Sequence, residues 1–280
     1  MFRSLVRRAV ISSASPSANP HTLGPFQVFD RNAKRIQKDR AALREDSRTV
    51  DYVREEVADR MMERFLDIKR TFGSILDLGS GAGHFTKLLE PDKVQKAVMV
   101  DLSQMSLNRD PDSDFEVQVE RIHGDEENLL QIVEPNSQEA VVSCLSLHWV
   151  NDLPGTLVQI REALKPDGLF LGAMFGGDTL FELRSALQLA EVEREGGLSP
   201  HKHATSLISW AAPGSPLLTV DVDEVKVAYP DMWALMDDLR AMGEGNAILG
   251  PRRALRRDTL AAASAIYTGK FGSLPSFHFL

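Results

Sequence analysis

Residues 75–83 read Ile-Leu-Asp-Leu-Gly-Ser-Gly-Ala-Gly. A short apolar run ends near an acid, Asp77, and three glycines then alternate at Gly79, Gly81 and Gly83. A strand that stops at glycines and feeds a helix lays bare backbone amides and a helix N-terminus against a ligand. The spacing excludes the G-x-G-x-x-G dinucleotide fingerprint, whose last glycine would fall on His84. No Lys-Ser/Thr pair follows the glycines, so a Walker A phosphate loop is excluded too. A tight turn without a ligand is the plainer alternative, but it does not need three such glycines.

The DLGSGAG spacing resembles motif I of the class I S-adenosylmethionine (SAM) methyltransferases. Outward from it, strand and helix signals alternate: strands at 75–78, 97–100, 117–123, 140–145 and 169–175, with helices after the glycines (Phe85, Leu88, Leu89) and over 153–164. Lys165-Pro166-Asp167-Gly168 stops that last helix. The expected fold is α/β, a Rossmann-like, mostly parallel sheet with helices on both faces, and ligands lie beyond the carboxyl ends of its strands. A helix over 178–195 follows, with Thr179 and Glu182 in capping-box spacing and Gly196 as its stop.

SAM carries an adenine, a ribose diol, a methionine ammonium and carboxylate, and a sulfonium, and strand ends supply a match for each. Asp77 meets the methionine end, and the glycines permit close approach. Asp101 ends the second strand and suits the two ribose hydroxyls, as an acid does in dinucleotide sites. Asp125, or Glu126 beside it, accepts from the adenine amino group, and Leu102 and Leu145 pack its faces. Each acid alone also reads as a solvated strand end. His148 offers an acid or base and Trp149 a pocket wall, or both only pack a strand-to-helix corner. Asp178, after Gly176-Gly177, is either a second catalytic candidate or a helix cap. His201 and His203 with Asp178 offer an iron-binding set, with a solvated loop as the alternative, and no metal is expected. The lone Cys144 sits in an apolar strand and reads as a structural thiol.

The 280 residues carry a net charge of −8, unevenly spread. Residues 1–29 hold Arg3, Arg7 and Arg8, many serines and no acid, the composition of a mitochondrial transit peptide. Without them 29 basic residues face 40 acidic ones, which argues against nucleic acid as a partner. Residues 30–74 read as N-terminal helices, a charged surface helix over 30–48 and an amphipathic one with Val53, Val57, Met61 and Phe65 on one face. Residues 75–280 form the SAM-methyltransferase-like domain.

The segments VFDRNAKRIQKDRAAL, LSLHWVNDLP, LKPDGLFLGAMFGGDTLFELR, LQLAEVEREGGLSPH and MDDLRAMGEGNA resemble the mitochondrial complex I assembly factors that hydroxylate arginine. That family is related to the bacterial malonyl-carrier-protein methyltransferases. The resemblance covers about residues 26–270. It implies hydroxylation of an arginine in a complex I core subunit, on the matrix side of the inner membrane and peripheral to it. By residues alone the reaction reads as methyl transfer to a carrier protein or small acceptor, and a non-catalytic assembly chaperone is the third reading. The chain departs from the family over 203–216, and its C-terminal end reads as truncated before a final antiparallel edge strand. Lower stability than that of a longer relative is expected from such an edge.

Overall fold

The computed structural model describes residues 27–197, 219–249, 255–271 and 276–279. The proposed leader apart from residues 27–29, His201, His203 and the 203–216 stretch lie outside them.

Five parallel strands form the central sheet in the order β3-β2-β1-β4-β5: β1 Phe72–Leu78, β2 Val94–Asp101, β3 Gln118–His123, β4 Gln138–Cys144 and β5 Leu164–Ala173. The chain order reverses between β1 and β4, which makes their carboxyl ends the place where ligands bind in such sheets. Successive side chains of β1 enter opposite layers. Phe72 and Ile75 join one apolar cluster, Leu76 and Leu78 the other. A run buried on both faces is what a strand flanked by helices requires.

Helix α2 (Tyr52–Leu66) drives Val53, Val57, Met61 and Phe65 into the first cluster, where Phe65 stacks on Phe72 with ring centroids 5.3 Å apart. The same layer holds residues of α5 (Phe181–Glu195), α6 (Met232–Ala241) and α7 (Arg257–Phe271). On the other face α4 (Leu153–Ala163) begins with Pro154 in its first turn and Asp152 accepting from the Gly155 amide at 2.9 Å. The remaining helices are α1 (Arg31–Ala42) and the single-turn α3 (Gln104–Leu107).

Several local expectations change. No α-helix follows the glycine loop; the chain makes only a short 3-10 turn, Thr86–Leu88. Pro91 stands eight residues after Gly83, and its ring disfavours helix for the residue before it, so the stretch is too short to propagate one. Phe85 and Leu89 are buried nonetheless. Helix α4 does stop before Lys165-Pro166-Asp167-Gly168, but the strand starts earlier than 169: β5 begins at Leu164, which pairs with Gln138, and resumes at Leu169 opposite Ala140, leaving a bulge that contains Asp167 at φ +61. Helix α5 starts at Phe181, after a left-handed Leu180 with no side-chain cap, so Thr179 does not serve as its N-cap. Gly196, at φ +69, ends it as expected. The C-terminal segment forms a strand, β7 (Ser276–Phe279), antiparallel to β6 (Asp223–Lys226), in a two-stranded sheet separate from the central one.

Candidate functional site

The loop after β1 is held in one conformation by its own backbone. Gly79 and Ser80 amides donate to the Val100 carbonyl at the end of β2, at 2.7 and 3.0 Å, and the Gly83 amide to the Ser80 carbonyl at 2.9 Å. All three glycines adopt positive φ, which L-residues resist. Their surroundings differ. A Cβ on Gly79 would stand 2.2 Å from Ser146 Cβ, and one on Gly83 2.7 Å from Met99 Cε and Phe115 Cε1. A Cβ on Gly81 would meet nothing within 4 Å. Gly81 therefore faces the open cavity whose wall includes Gly79, Ser80, Gly81, Ala82, Leu145 and Trp149.

Two acids lie beneath the loop. Asp77, 1% exposed, accepts from Thr86 Oγ1 at 2.7 Å through Oδ2, while its Oδ1 has no hydrogen-bond partner. Burial pushes its carboxyl up to about 7, with the nearby Asp101 charge adding to the rise. Asp101 is fully buried and accepts from the Gly81 amide at 2.9 Å, the Ser103 amide at 2.7 Å and Lys38. It thus braces the amide of the open glycine. The Ser80 hydroxyl is a second buried polar group without a partner. An open glycine, an unpartnered carboxylate oxygen and an unpartnered hydroxyl around one turn fit the polar methionine end of SAM.

The third-strand acids behave differently. Arg31 of α1 pairs with Asp125 at 2.7 Å and with Glu126, which is 1% exposed and also accepts from Ser146 Oγ at 2.8 Å. Burial opposes ionisation of Glu126, yet Arg31 and Lys38 hold its carboxyl below the ordinary carboxylate range. Asp125 also caps the following turn through the Glu127 amide. Both carboxylates thus already carry partners at the place assigned to adenine. Leu102 lends its carbonyl to the His123 ring at 3.0 Å and, unlike Leu145, is not on the cavity wall.

These contacts overturn the reading of 30–48 as a plain surface helix. Asp30 caps α1 by accepting from the Ala33 amide, and Arg31, Lys34 and Lys38 then fall at i, i+3 and i+7 on one face. Each meets a site acid: Arg31 with Glu126, Lys34 with Glu244 and Lys38 with Asp101. Sequence reasoning missed Lys34, Arg54 and Glu244, which all line the cavity. The available signal was the i, i+3, i+7 spacing of cations.

His148 and Trp149 sit together, with ring centroids 5.5 Å apart, and Trp149 is on the cavity wall. Both His148 ring nitrogens are buried without a hydrogen-bond partner; Nε2 stands 3.7 Å from Glu244 Oε2. Burial pulls His148 below its ordinary value, so the ring is neutral at pH 7. Asp178 is exposed and absent from the cavity wall, so the structure does not bring it to His148. Cys144 does line the cavity, and burial pushes its thiol far up, which leaves it protonated and a poor nucleophile. Asp51, Glu55 and His84 place one ligand atom each within 4.8 Å of one another. Asp51 Oδ1 faces His84 Nε2 at 3.6 Å, and Arg109 pairs with its other oxygen at 2.7 Å.

Residues 50–213 match a family model described as a methyltransferase domain. The chain is 44% identical over 283 aligned positions to the mitochondrial arginine-hydroxylase NDUFAF5 of Homo sapiens, covering 97% of this chain and 80% of that protein. It is 31% identical to a malonyl-[acyl-carrier protein] O-methyltransferase of Halorhodospira halophila, over 87% of this chain and 82% of that one. A crystal structure of a putative methyltransferase from Bacillus halodurans superposes with a TM-score of 0.52 at 17% identity, over 79% of this chain and 94% of that one.

Proposed function

The chain belongs to the methyltransferase-domain family and, within it, to the group of the mitochondrial arginine-hydroxylases, and on that premise we propose that it hydroxylates an arginine of a complex I core subunit during assembly of that complex in the mitochondrion. It is an enzyme with the class I SAM-methyltransferase fold, and SAM is its cofactor. The observation that carries the reading is the pairing of near-full-length identity to an arginine-hydroxylase with a glycine loop and acids gathered at one sheet edge. The reading carries with it a place on the matrix side of the inner membrane, peripheral to it, reached through a leader within residues 1–29.

Gly79, Gly81 and Gly83 hold the backbone so that SAM approaches the open face at Gly81. Asp77 would hold its ammonium through the unpartnered Oδ1, and Asp101, paired with Lys38, would accept from its ribose hydroxyls. Leu145, on the cavity wall, would flank the adenine, while Leu102 lies off that wall and Asp125 and Glu126 are held by Arg31. When bound, SAM supplies a sulfonium and the methyl group it activates. His148, neutral and beside Trp149, offers an unpartnered ring nitrogen as the candidate acid or base.

Methyl transfer is the second reading, favoured by the 31% identity to a malonyl-[acyl-carrier protein] O-methyltransferase over most of both chains. Co-expression with the complex I core subunits and mass spectrometry of their arginine peptides separates the two. An added oxygen supports hydroxylation, and an added methylene supports methyl transfer. Unmodified peptides beside assembly rescued by a His148→Ala variant would instead mark a non-catalytic chaperone.

A further inference from the structure

Lys34 is the least expected side chain in the cavity wall. It is 2% exposed, and lysines are almost never that deep unless partnered. Its ammonium donates to the Gly243 carbonyl at 2.8 Å and to Glu244 Oε2 at 2.9 Å, and lies 3.5 Å from the centroid of the Trp149 ring. Trp149 in turn donates its indole N–H to the same Glu244 oxygen at 2.7 Å. Arg54 holds the other oxygen, Oε1, at 3.0 Å. A carboxylate, a carbonyl and an aromatic face around one cation form a cage that also suits a guanidinium, which stacks on rings and donates in a plane.

A buried ion pair is weak evidence of a stabilising device, since apolar residues of similar volume often serve folding as well. The cage is continuous with the site, because Lys34, Trp149, Arg54 and Glu244 line the same cavity as Gly79, Ser80 and Gly81. Resting on the arginine reading above, we propose that Glu244, the Gly243 carbonyl and the Trp149 ring form the subsite for the guanidinium of the substrate arginine, and that Lys34 holds that place from within the chain until substrate arrives.

Arg54 stays on Glu244 Oε1 at 3.0 Å throughout, so Glu244 is never left as an unpaired buried charge. Burial pulls the Lys34 ammonium down to about 7 against the attraction of Glu244, with Lys38 and Arg54 adding repulsion. Near neutral pH it therefore gives up its proton, and with it the cage, more readily than an exposed lysine. The unprotonated ring of His148, 3.7 Å from Glu244 Oε2, is the polar group beside a guanidinium seated there.

The test is isothermal titration of the full chain with N-acetylarginine amide at pH 7. Removing the internal competitor with Lys34→Met raises the fraction of competent cage, and binding tightens at least about tenfold. Lys34→Arg seats a guanidinium in cis and abolishes binding, as do Trp149→Leu and Glu244→Gln. Thermal melts establish that each variant is folded; should Glu244→Gln unfold, the opposite responses of Lys34→Met and Lys34→Arg still decide. Equal affinities in wild type and Lys34→Met, or wild-type binding in Trp149→Leu, overturn the proposal. Co-expression with the core subunits keeps the two levels apart. Cage binding without a modified arginine sinks the hydroxylase reading and leaves the subsite standing. An arginine oxidised by Trp149→Leu with unchanged KM sinks the subsite and leaves the reading.

Discussion

Alanine at Gly81 and at Gly83 separates binding from folding within one loop. Both glycines have positive φ, +58 and +78, so each alanine bears the left-handed strain of roughly 1–2 kcal/mol. The alanine also restricts the unfolded chain, which returns about 0.4–1 kcal/mol. At Gly81 nothing lies within 4 Å of the new methyl, so the net loss is about 1 kcal/mol and a fall in Tm of about 3 °C. At Gly83 the methyl stands 2.7 Å from Met99 Cε and Phe115 Cε1, and crowding adds about 1–3 kcal/mol. That variant melts about 6–12 °C below wild type.

SAM affinity runs in the opposite order. The Gly81 methyl projects into the cavity against the ligand, and about 2 kcal/mol of lost contact is roughly a thirtyfold rise in Kd. The Gly83 methyl projects into the core instead and leaves the amide face of Gly81 in place. Differential scanning fluorimetry gives the first order and isothermal titration with SAM the second. A Gly81→Ala protein that melts as expected and binds SAM within threefold of wild type refutes the assignment of this loop as the cofactor cradle.

Asp77 should couple SAM binding to pH. Its folded carboxyl is raised to about 7, so only the ionised tenth is ready for an ammonium at pH 6; affinity rises about tenfold by pH 8, and a flat profile in Asp77→Asn confirms the source. Lys34 has the reverse protonation history. Its folded value is lowered from 10.5 to about 7, so the unfolded chain binds more protons between those limits and stability rises with pH across them. Urea titrations at pH 7 and 10 should show that gain in wild type and not in Lys34→Met. Removing Arg31 leaves Glu126 buried beside a lost partner; Arg31→Met should cost about 3 kcal/mol, and adding Glu126→Gln should recover most of it, which a double-mutant cycle measures.

The sheet was legible because its three inner strands, β1, β2 and β4, are largely buried and stop at punctuating residues. Ile75-Leu76-Asp77-Leu78 before Gly79 has no other reading at that length, and Asp101 and Asp125 mark the ends of the next two strands. What could not be read is any property that depends on which distant group answers a charge. Arg31, Lys34 and Lys38 stand in a stretch so charged that a solvated face is the default, and only the arrival of Glu126, Glu244 and Asp101 from 63 to 210 positions away makes it otherwise. Glu244 lies in the family-like segment MDDLRAMGEGNA, but nothing in that segment says which cation it meets. The missing helix after Gly83 is a failure of a different kind, since Phe85, Leu88 and Leu89 suggest one and Pro91 leaves too short a stretch to propagate it.

The pairing of one helix face with three acids has a consequence for how the site works. Asp101 and Glu126 are fully or almost fully buried and Glu244 nearly so, and burial alone would raise the Glu126 and Glu244 carboxyls that their cations hold down. Helix α1 therefore keeps the site anionic while no ligand neutralises it. SAM brings an ammonium and a sulfonium, and the arginine of a protein substrate brings a guanidinium. Every charge that α1 supplies from within the chain is of the sign that the ligands supply from outside. At Glu244 binding exchanges one ion pair for another, whereas the SAM ammonium makes a new pair with Asp77, and release of α1 reports that both ligands are in place. Hydrogen exchange over residues 31–42 reads this directly: protection of α1 should fall when SAM and an arginine peptide are both present, and a rise would place α1 as a clamp upon the ligands rather than a stand-in for them.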